Sequence, residues 1–258
     1  MIIGIEDKLY RLKTGLQDVS IKEYAEVEKI VKDTPAWFRN IMQDIEDEMD
    51  IEILLDYEKK IVSVLLDIPE DVIERCAIGD IHLCAEASKE IVLSCIRGIY
   101  AEPLEMFVWG DKFNAPQKDT DIAGNIMYCS EITALQICEA SDLQIATGFE
   151  YANNIVTILC CDKYDEKEAK RKAEGLKDMP VSIAAGCMAH LSKFHEYCLA
   201  NYPNVYGGRG KETPLSGFGW GGRILWLAGS VENVEKVNNM NAYEFIRQLS
   251  YKIAENES

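Results

Sequence analysis

Two stretches of this chain share one apolar pattern, and this repetition constrains the fold more than any other feature of the sequence. Ile61–Leu65 (IVSVL) returns as Ile155–Leu159 (IVTIL). Each copy follows a short strand-like piece with Lys and an aromatic residue, Lys8–Tyr10 in one case and Asp111–Phe113 in the other. A repeat of roughly 95 residues predicts two related helical units, which usually build scaffolds or packing surfaces. Short apolar runs also recur by chance, so duplication and coincidence both stay open.

Helix-start signals predict a mainly α fold. Ser20 stands three residues before Glu23, the spacing of a capping box, in which each side chain satisfies a backbone N–H at the helix start. Pro35 begins a long helix that we expect to break near Asp50. Glu105–Ala115 has the strongest β pattern and predicts a small hairpin. From residue 121 onward we expect helix, interrupted by glycines.

These signals divide the chain into three parts. We predict a first helical unit over residues 1–102 and a second over 103–201, each with a small β hairpin. A Gly-rich loop and a helical C-terminal extension follow over 202–258. Residues 201–222 contain seven glycines, and a loop of that length is commonly functional or flexible.

The charge balance narrows the range of partners. The net charge of −17 argues against direct binding to nucleic acid or to an anionic membrane, because both would repel the chain. No apolar run approaches the roughly 20 residues that a membrane-spanning helix needs. The first seven residues lack the basic start of a signal peptide. Together with nine cysteines, this predicts free, mostly buried thiols in a reducing cytoplasm.

The residues with chemical potential have ordinary structural interpretations. Cys187, His190, His195 and Cys198 share one broad helix face, but the two cysteines are about 16 Å apart along a straight helix. One zinc ion cannot span that distance, so a structural core is favoured over a metal site. The segment 206–212 has Glu212 where a phosphate-binding loop needs Ser or Thr. The acidic run 44–58 is predicted to be a solvated helix face, with contact to a basic partner as the alternative. We therefore predict no catalytic residue, no metal site and no cofactor.

The aromatic tail is the candidate partner contact. Phe218, Trp220 and Trp226 follow the glycines, and the last helix places Phe245 and Ile246 on one apolar face. One interpretation is a mobile arm that orders on a neighbouring protein, where Trp commonly anchors contacts. The other is that the tail closes the core of the second unit.

Four segments carry a resemblance to a known family. They are Leu16–Tyr24 (LQDVSIKEY), Phe107–Phe113 (FVWGDKF), Asp178–Ala184 (DMPVSIA) and the closing Trp220–Tyr251 stretch. In these segments the chain resembles proteins from tailed phages of gut Bacteroides, including crAss-like phages. The resemblance covers most of the chain, but it consists of structural patterns and transfers no catalytic or binding residue.

The resemblance implies a non-enzymatic virion or virion-assembly protein. The expected roles are a cargo protein stored in the capsid or tail, or a tail-assembly chaperone, with a neck or tail ring component as the alternative. Its partners would be portal, tail or neck proteins, and oligomers are compatible with each role. It would be found in the virion or, during assembly, in the host cytoplasm. An alternative of another class is a small cytoplasmic enzyme or a metal-binding protein built around Cys187, His190, His195 and Cys198.

Overall fold

A computed structural model describes residues 1–5, 8–43, 50–109, 111–147, 149–161, 164–206 and 218–257. The predicted mainly α fold is confirmed, since the chain is 65% helical and the strands within the described residues form small two-stranded sheets. Residues 44–49 of the acidic run and residues 207–217 of the predicted Gly-rich loop lie outside these residues.

The strands pair as three antiparallel hairpins, β1 with β2, β3 with β4 and β5 with β6. They are β1 Ile2–Ile5, β2 Lys8–Arg11, β3 Met106–Trp109, β4 Asp111–Asn114, β5 Lys118–Thr120 and β6 Ile126–Tyr128. The helices of the first hundred residues are α1 Ile21–Asp33, α2 Ala36–Met42, α3 Ile51–Leu66, α4 Glu70–Ile73, α5 Ile78–Ala87 and α6 Lys89–Arg97. The later helices are α7 Ala134–Thr147, α8 Ala152–Leu159, α9 Glu166–Glu174, α10 Val181–Asn201, α11 Gly219–Ala228, α12 Val234–Asn238 and α13 Ala242–Glu257.

The chain forms two compact units. Unit 1 consists of Met1–Tyr100 together with Lys177–Ile183, and unit 2 consists of Ala101–Leu176 together with Ala184–Ser258. The first boundary lies close to the one predicted at residue 102. The predicted third part does not stand alone, because the tail belongs to unit 2.

In unit 1, helices α1, α3, α5 and α6 pack around an aliphatic core. The predicted capping box at the start of α1 is confirmed: Ser20 Oγ accepts from Glu23 N, and the Glu23 carboxylate accepts from Ser20 N. Asp50 caps α3 at the predicted break, where its Oδ1 accepts from Glu52 N and Ile53 N.

Glu58 departs from the predicted solvated face of the acidic run. It lies on α3 and is only 3% exposed. Its Oε1 is 2.8 Å from His82 Nδ1, which lies on α5. Burial raises the pKa of Glu58, and the hydrogen bond with His82 opposes that rise. The apolar periodicity of α3 turns this carboxylate inward, and the imidazole satisfies it there.

The same pairing of helix starts occurs once within each unit. In unit 1, Ile21 N donates to Met179 O at 2.9 Å and Val181 N donates to Val19 O at 2.8 Å. In unit 2, Ala134 N donates to Met240 O at 2.7 Å and Ala242 N donates to Ile132 O at 2.9 Å. Each pair of bonds satisfies two N–H groups that a helix start leaves without an intrahelical partner. This recurrence differs from the one read in the sequence, where the matching runs lie in α3 and α8.

Unit 2 contains a hairpin where the sequence predicted helix. Strands β5 and β6 flank a turn that Asp121 organises, because its Oδ1 accepts from Ala123 N and Asn125 N. Its Oδ2 accepts from Tyr197 Oη at 2.8 Å. These side-chain bonds replace helical ones, which is why Asp and Asn favour turns.

The tail packs into unit 2. Helix α13 contacts α7 and α11, and α11 also contacts α7 and α12. Asn241 caps α13, since its Oδ1 accepts from Tyr243 N at 3.0 Å. None of the helices in the described ranges has the length and apolarity needed to cross a bilayer.

Candidate functional site

A polar and aromatic cluster surrounds His195 in unit 2. Helix α10 carries His195, α7 carries Ser141, and a short 3₁₀ helix, Pro203–Tyr206, supplies Tyr206. His195 Nε2 is 2.8 Å from Ser141 Oγ and Nδ1 is 2.7 Å from Tyr206 Oη. The Trp220 ring lies 5.3 Å from the imidazole, centroid to centroid. A histidine beside a serine is the pair that nucleophilic catalysis requires.

The direction of the hydrogen bonds makes this cluster structural. Ser141 Oγ lies 2.6 Å from the carbonyl oxygen of Ile137, and a carbonyl can only accept. The serine proton therefore points to Ile137, so His195 Nε2 donates to Ser141 and Nδ1 accepts from Tyr206. A general base would need its lone pair, and not its N–H, toward the serine. Burial, with a smaller contribution from the positive charge of Arg223, lowers the pKa of His195 to about 4, which keeps the ring neutral.

The four residues weighed as metal ligands have ordinary structural surroundings. His190 Nε2 donates to the carbonyl oxygen of Leu104, and His195 is bonded to Ser141 and Tyr206. Cys187 is fully buried in the core. Burial raises the pKa of Cys198 to about 12, so this thiol stays protonated. In the part of the chain that the structure describes, no three His, Cys, Asp or Glu side chains are placed to hold a metal ion.

The five predicted partner-contact residues divide between surface and core. Phe218 is 71% exposed, and Trp226 is partly buried. Trp220 is 7% exposed, while Phe245 and Ile246 are fully buried. For these last three the prediction of a partner contact was wrong, because their apolar surface is covered by unit 2 itself. These three residues fit the alternative interpretation, in which the tail closes the core of the second unit.

Asp142 fixes the start of α11. Its Oδ1 accepts from Trp220 N at 2.8 Å and its Oδ2 accepts from Gly221 N at 3.2 Å. The Arg223 guanidinium stacks 3.9 Å from the centroid of the Trp220 ring. A carboxylate on α7 thus satisfies the N–H groups of a helix far along the chain, which no local sequence signal indicates.

Asp142 also lines a groove between α7, α8 and α9, which we call the α7–α9 groove. Its volume is about 440 Å³. The residues that line it are Glu139, Asp142, Leu143, Tyr151, Asn154, Thr157, Ile158, Tyr164, Glu166, Ala169 and Lys170. Thr157, Ile158 and Ala169 are buried, whereas Tyr151 is 40% exposed. The groove therefore has an apolar floor and an accessible aromatic side chain at its edge.

Acidic groups dominate the charge of this groove. Glu139 is partly buried and accepts a hydrogen bond from Tyr164 Oη. Burial raises the pKa of Glu139, and the bond from Tyr164 opposes that rise. Glu166 is paired with Lys170 at 2.5 Å. Sequence reasoning missed the groove, because its walls come from three helices whose separate patterns show only amphipathic packing.

A second cavity of unit 2 has a volume of about 530 Å³ and both polar and apolar residues in its walls. Gln136 in its wall donates to the carbonyl oxygen of Ile158 at 2.8 Å and accepts from Thr133 Oγ1 at 3.0 Å. The α7–α9 groove is the better candidate for binding, because it combines apolar surface with excess charge.

Comparison with protein-family models, with curated proteins and with solved structures finds no match in any of the three.

Proposed function

We propose that this protein is a non-enzymatic protein of a tailed phage that acts by binding other virion proteins. Its role would be that of a cargo protein stored in the capsid or tail, or of a tail-assembly chaperone. The family resemblance of the segments around Ser20, Trp109 and Pro180 suggests the phage context. An acidic surface suits a compartment through which DNA passes, because it does not adhere to phosphate.

One observation supports binding over catalysis. His195 and Ser141, the pair with the greatest catalytic potential among the described residues, hold their protons in internal hydrogen bonds. The α7–α9 groove, in contrast, carries carboxylates beside accessible apolar surface. This combination is suited to contact with a protein.

Mass spectrometry of a phage that encodes this sequence tests the proposal. Abundant peptides of this chain in purified virions would identify a cargo or ring protein, and a closed cyclic oligomer would then identify a ring. Peptides found in infected cells and lost on purification of virions, together with a crosslink to a tail, portal or neck protein, would identify a chaperone. Absence of any crosslink to a virion protein in both samples would refute the proposal.

Metal analysis tests the alternative of a metal-binding protein. We expect no stoichiometric zinc in protein purified without chelators, because no three His, Cys, Asp or Glu side chains among the described residues are grouped to hold a metal ion. Stoichiometric zinc that is lost in Cys187→Ser would instead favour the metal-binding alternative.

A further inference from the structure

We infer that the α7–α9 groove binds a basic segment of a partner protein, with a Lys or Arg side chain placed against Glu139 and apolar neighbours against Tyr151. This inference rests on the proposed function, since it names the chemistry of the partner that such a binding protein would take. It follows from the shape of the groove, its charges and the charge of the whole chain.

The shape suits an amphipathic side chain. The floor of the groove is formed by the buried residues Thr157, Ile158 and Ala169. A Lys or Arg side chain buries its aliphatic stem along such a surface and keeps its charged end near a polar group. Tyr151 adds an aromatic ring, against which either an apolar residue or a cation can pack.

The charges leave Glu139 as the group that gains most from a cation. Asp142 already accepts two backbone N–H groups of α11, and Glu166 is already paired with Lys170. Glu139 accepts a hydrogen bond from the Tyr164 hydroxyl. The positive charge of Lys170 also favours the Glu139 carboxylate, but that ammonium group is already paired with Glu166, and the charges of Glu166 and Asp142 oppose it. Burial makes the carboxylate of Glu139 costly, as its raised pKa indicates. A guanidinium or ammonium group beside it would reduce that cost.

The net charge of the chain indicates which class of molecule can bind in the α7–α9 groove. A second copy of this protein would bring a net charge of −17 to the same surface and would be repelled. Nucleic acid and anionic lipid would be repelled for the same reason. A basic segment with an apolar side complements both the carboxylates and the walls, and charge complementarity of this kind favours encounter and specificity.

A synthetic amphipathic helix of leucine and lysine, labelled with a fluorophore, serves as the probe, and binding is measured by anisotropy. Three comparison probes separate the contributions: the same peptide with Glu in place of Lys, a shuffled peptide with the same charge but no apolar side, and free arginine amide. We expect the amphipathic basic peptide to bind and the other three to bind at least about tenfold more weakly. Equal binding of the shuffled peptide or of arginine amide would show attraction by net charge alone and overturn the inference.

Variants locate the contact. Glu139→Gln keeps the shape of the side chain and an oxygen that can accept from Tyr164, and we expect it to weaken peptide binding about five- to tenfold. Tyr151→Ala should weaken it about threefold or more through loss of the aromatic edge. Glu235→Gln, an exposed carboxylate on α12, is the matched control and should change binding by less than about twofold. Circular dichroism of each variant confirms that it is folded.

Equal effects of Glu139→Gln and Glu235→Gln, or no binding of the amphipathic basic peptide to the wild-type protein, would refute the groove as the site. Either result leaves the virion mass spectrometry unaffected, so failure of this inference is distinguishable from failure of the proposed function.

Discussion

Removal of the phenyl ring of Phe245 tests whether the tail is part of the core. Phe245 is fully buried in unit 2, on the face of α13 that meets α7 and α11. Phe→Ala at such a position typically costs about 3–5 kcal/mol, from lost burial and from the cavity left behind. That is a large part of the roughly 5–15 kcal/mol by which a domain is stable. We therefore expect Phe245→Ala to unfold unit 2 at a much lower urea concentration than the wild type.

Tryptophan fluorescence and far-UV circular dichroism, recorded together, measure this change. Three of the four tryptophans (Trp109, Trp220 and Trp226) lie in unit 2, so fluorescence reports mainly on that unit. Tyr251→Ala is the matched control on the same helix, since Tyr251 is 63% exposed, and it should change stability by less than about 0.5 kcal/mol. Truncation after Tyr202 should unfold or aggregate unit 2. If Phe245→Ala were no more destabilising than Tyr251→Ala, the tail would be an arm. The same would follow if the truncated chain kept the helix content of α1 to α10 and unfolded cooperatively.

Four further substitutions have defined outcomes. Gly219→Ala should destabilise unit 2 by about 1–3 kcal/mol, because Gly219 has φ +62° and an added Cβ would lie 2.5 Å from Asp142 Oδ1. Gly79→Ala, where nothing lies within 4 Å of the added atom, should instead stabilise α5 by roughly 0.5–1 kcal/mol. Urea titration of the two variants should therefore give changes in the free energy of unfolding that have opposite signs. His195 has a pKa of about 4 when folded and about 6.5 when unfolded, so only the unfolded state gains the proton between these values. The wild type should then lose roughly 3 kcal/mol of stability as the pH falls from 6.5 to 4. The stability of His195→Gln should fall less steeply with pH. Equal slopes of stability against pH in the two proteins would contradict a neutral His195. Ser20→Ala should cost about 1 kcal/mol in a thermal or urea melt by removing half of the capping box, and an unchanged midpoint would show that the cap contributes nothing.

Local signals in the sequence were sufficient for the helix starts and for two of the three hairpins. The capping box at Ser20 depends on Glu23, three positions away, so its spacing predicts it. The helix break near Asp50 was also predicted, and Asp50 caps the helix that follows. The hairpin around Asp121 was missed, because its turn depends on side-chain bonds within the loop and on Tyr197, which is distant in sequence.

The tail and the groove depend on information that periodicity does not contain. The apolar face of α13 was identified, but an apolar stripe does not specify whether the covering surface belongs to the same chain or to a partner. Phe245 and Ile246 are covered by unit 2. Similarly, the surroundings of Glu139 form only when α8 packs against α7 and α9 packs against α8. The acidic composition argued only against anionic partners, and the fold is needed to locate a surface where a basic segment could bind.

The pairing of helix starts in unit 1 has a consequence for synthesis on the ribosome. The start of α1 bonds to Met179 and Val181, which are made about 160 residues after Ser20. At roughly 5–20 residues per second, the nascent chain waits about 8–30 s for these partners. During that time the N–H of Ile21 lacks its final acceptor, and the nascent N-terminal hundred residues cannot reach their finished structure. Much of unit 2 is thus translated before unit 1 is complete, so an incomplete product that ends before Lys177 should be a substrate for chaperones and proteases.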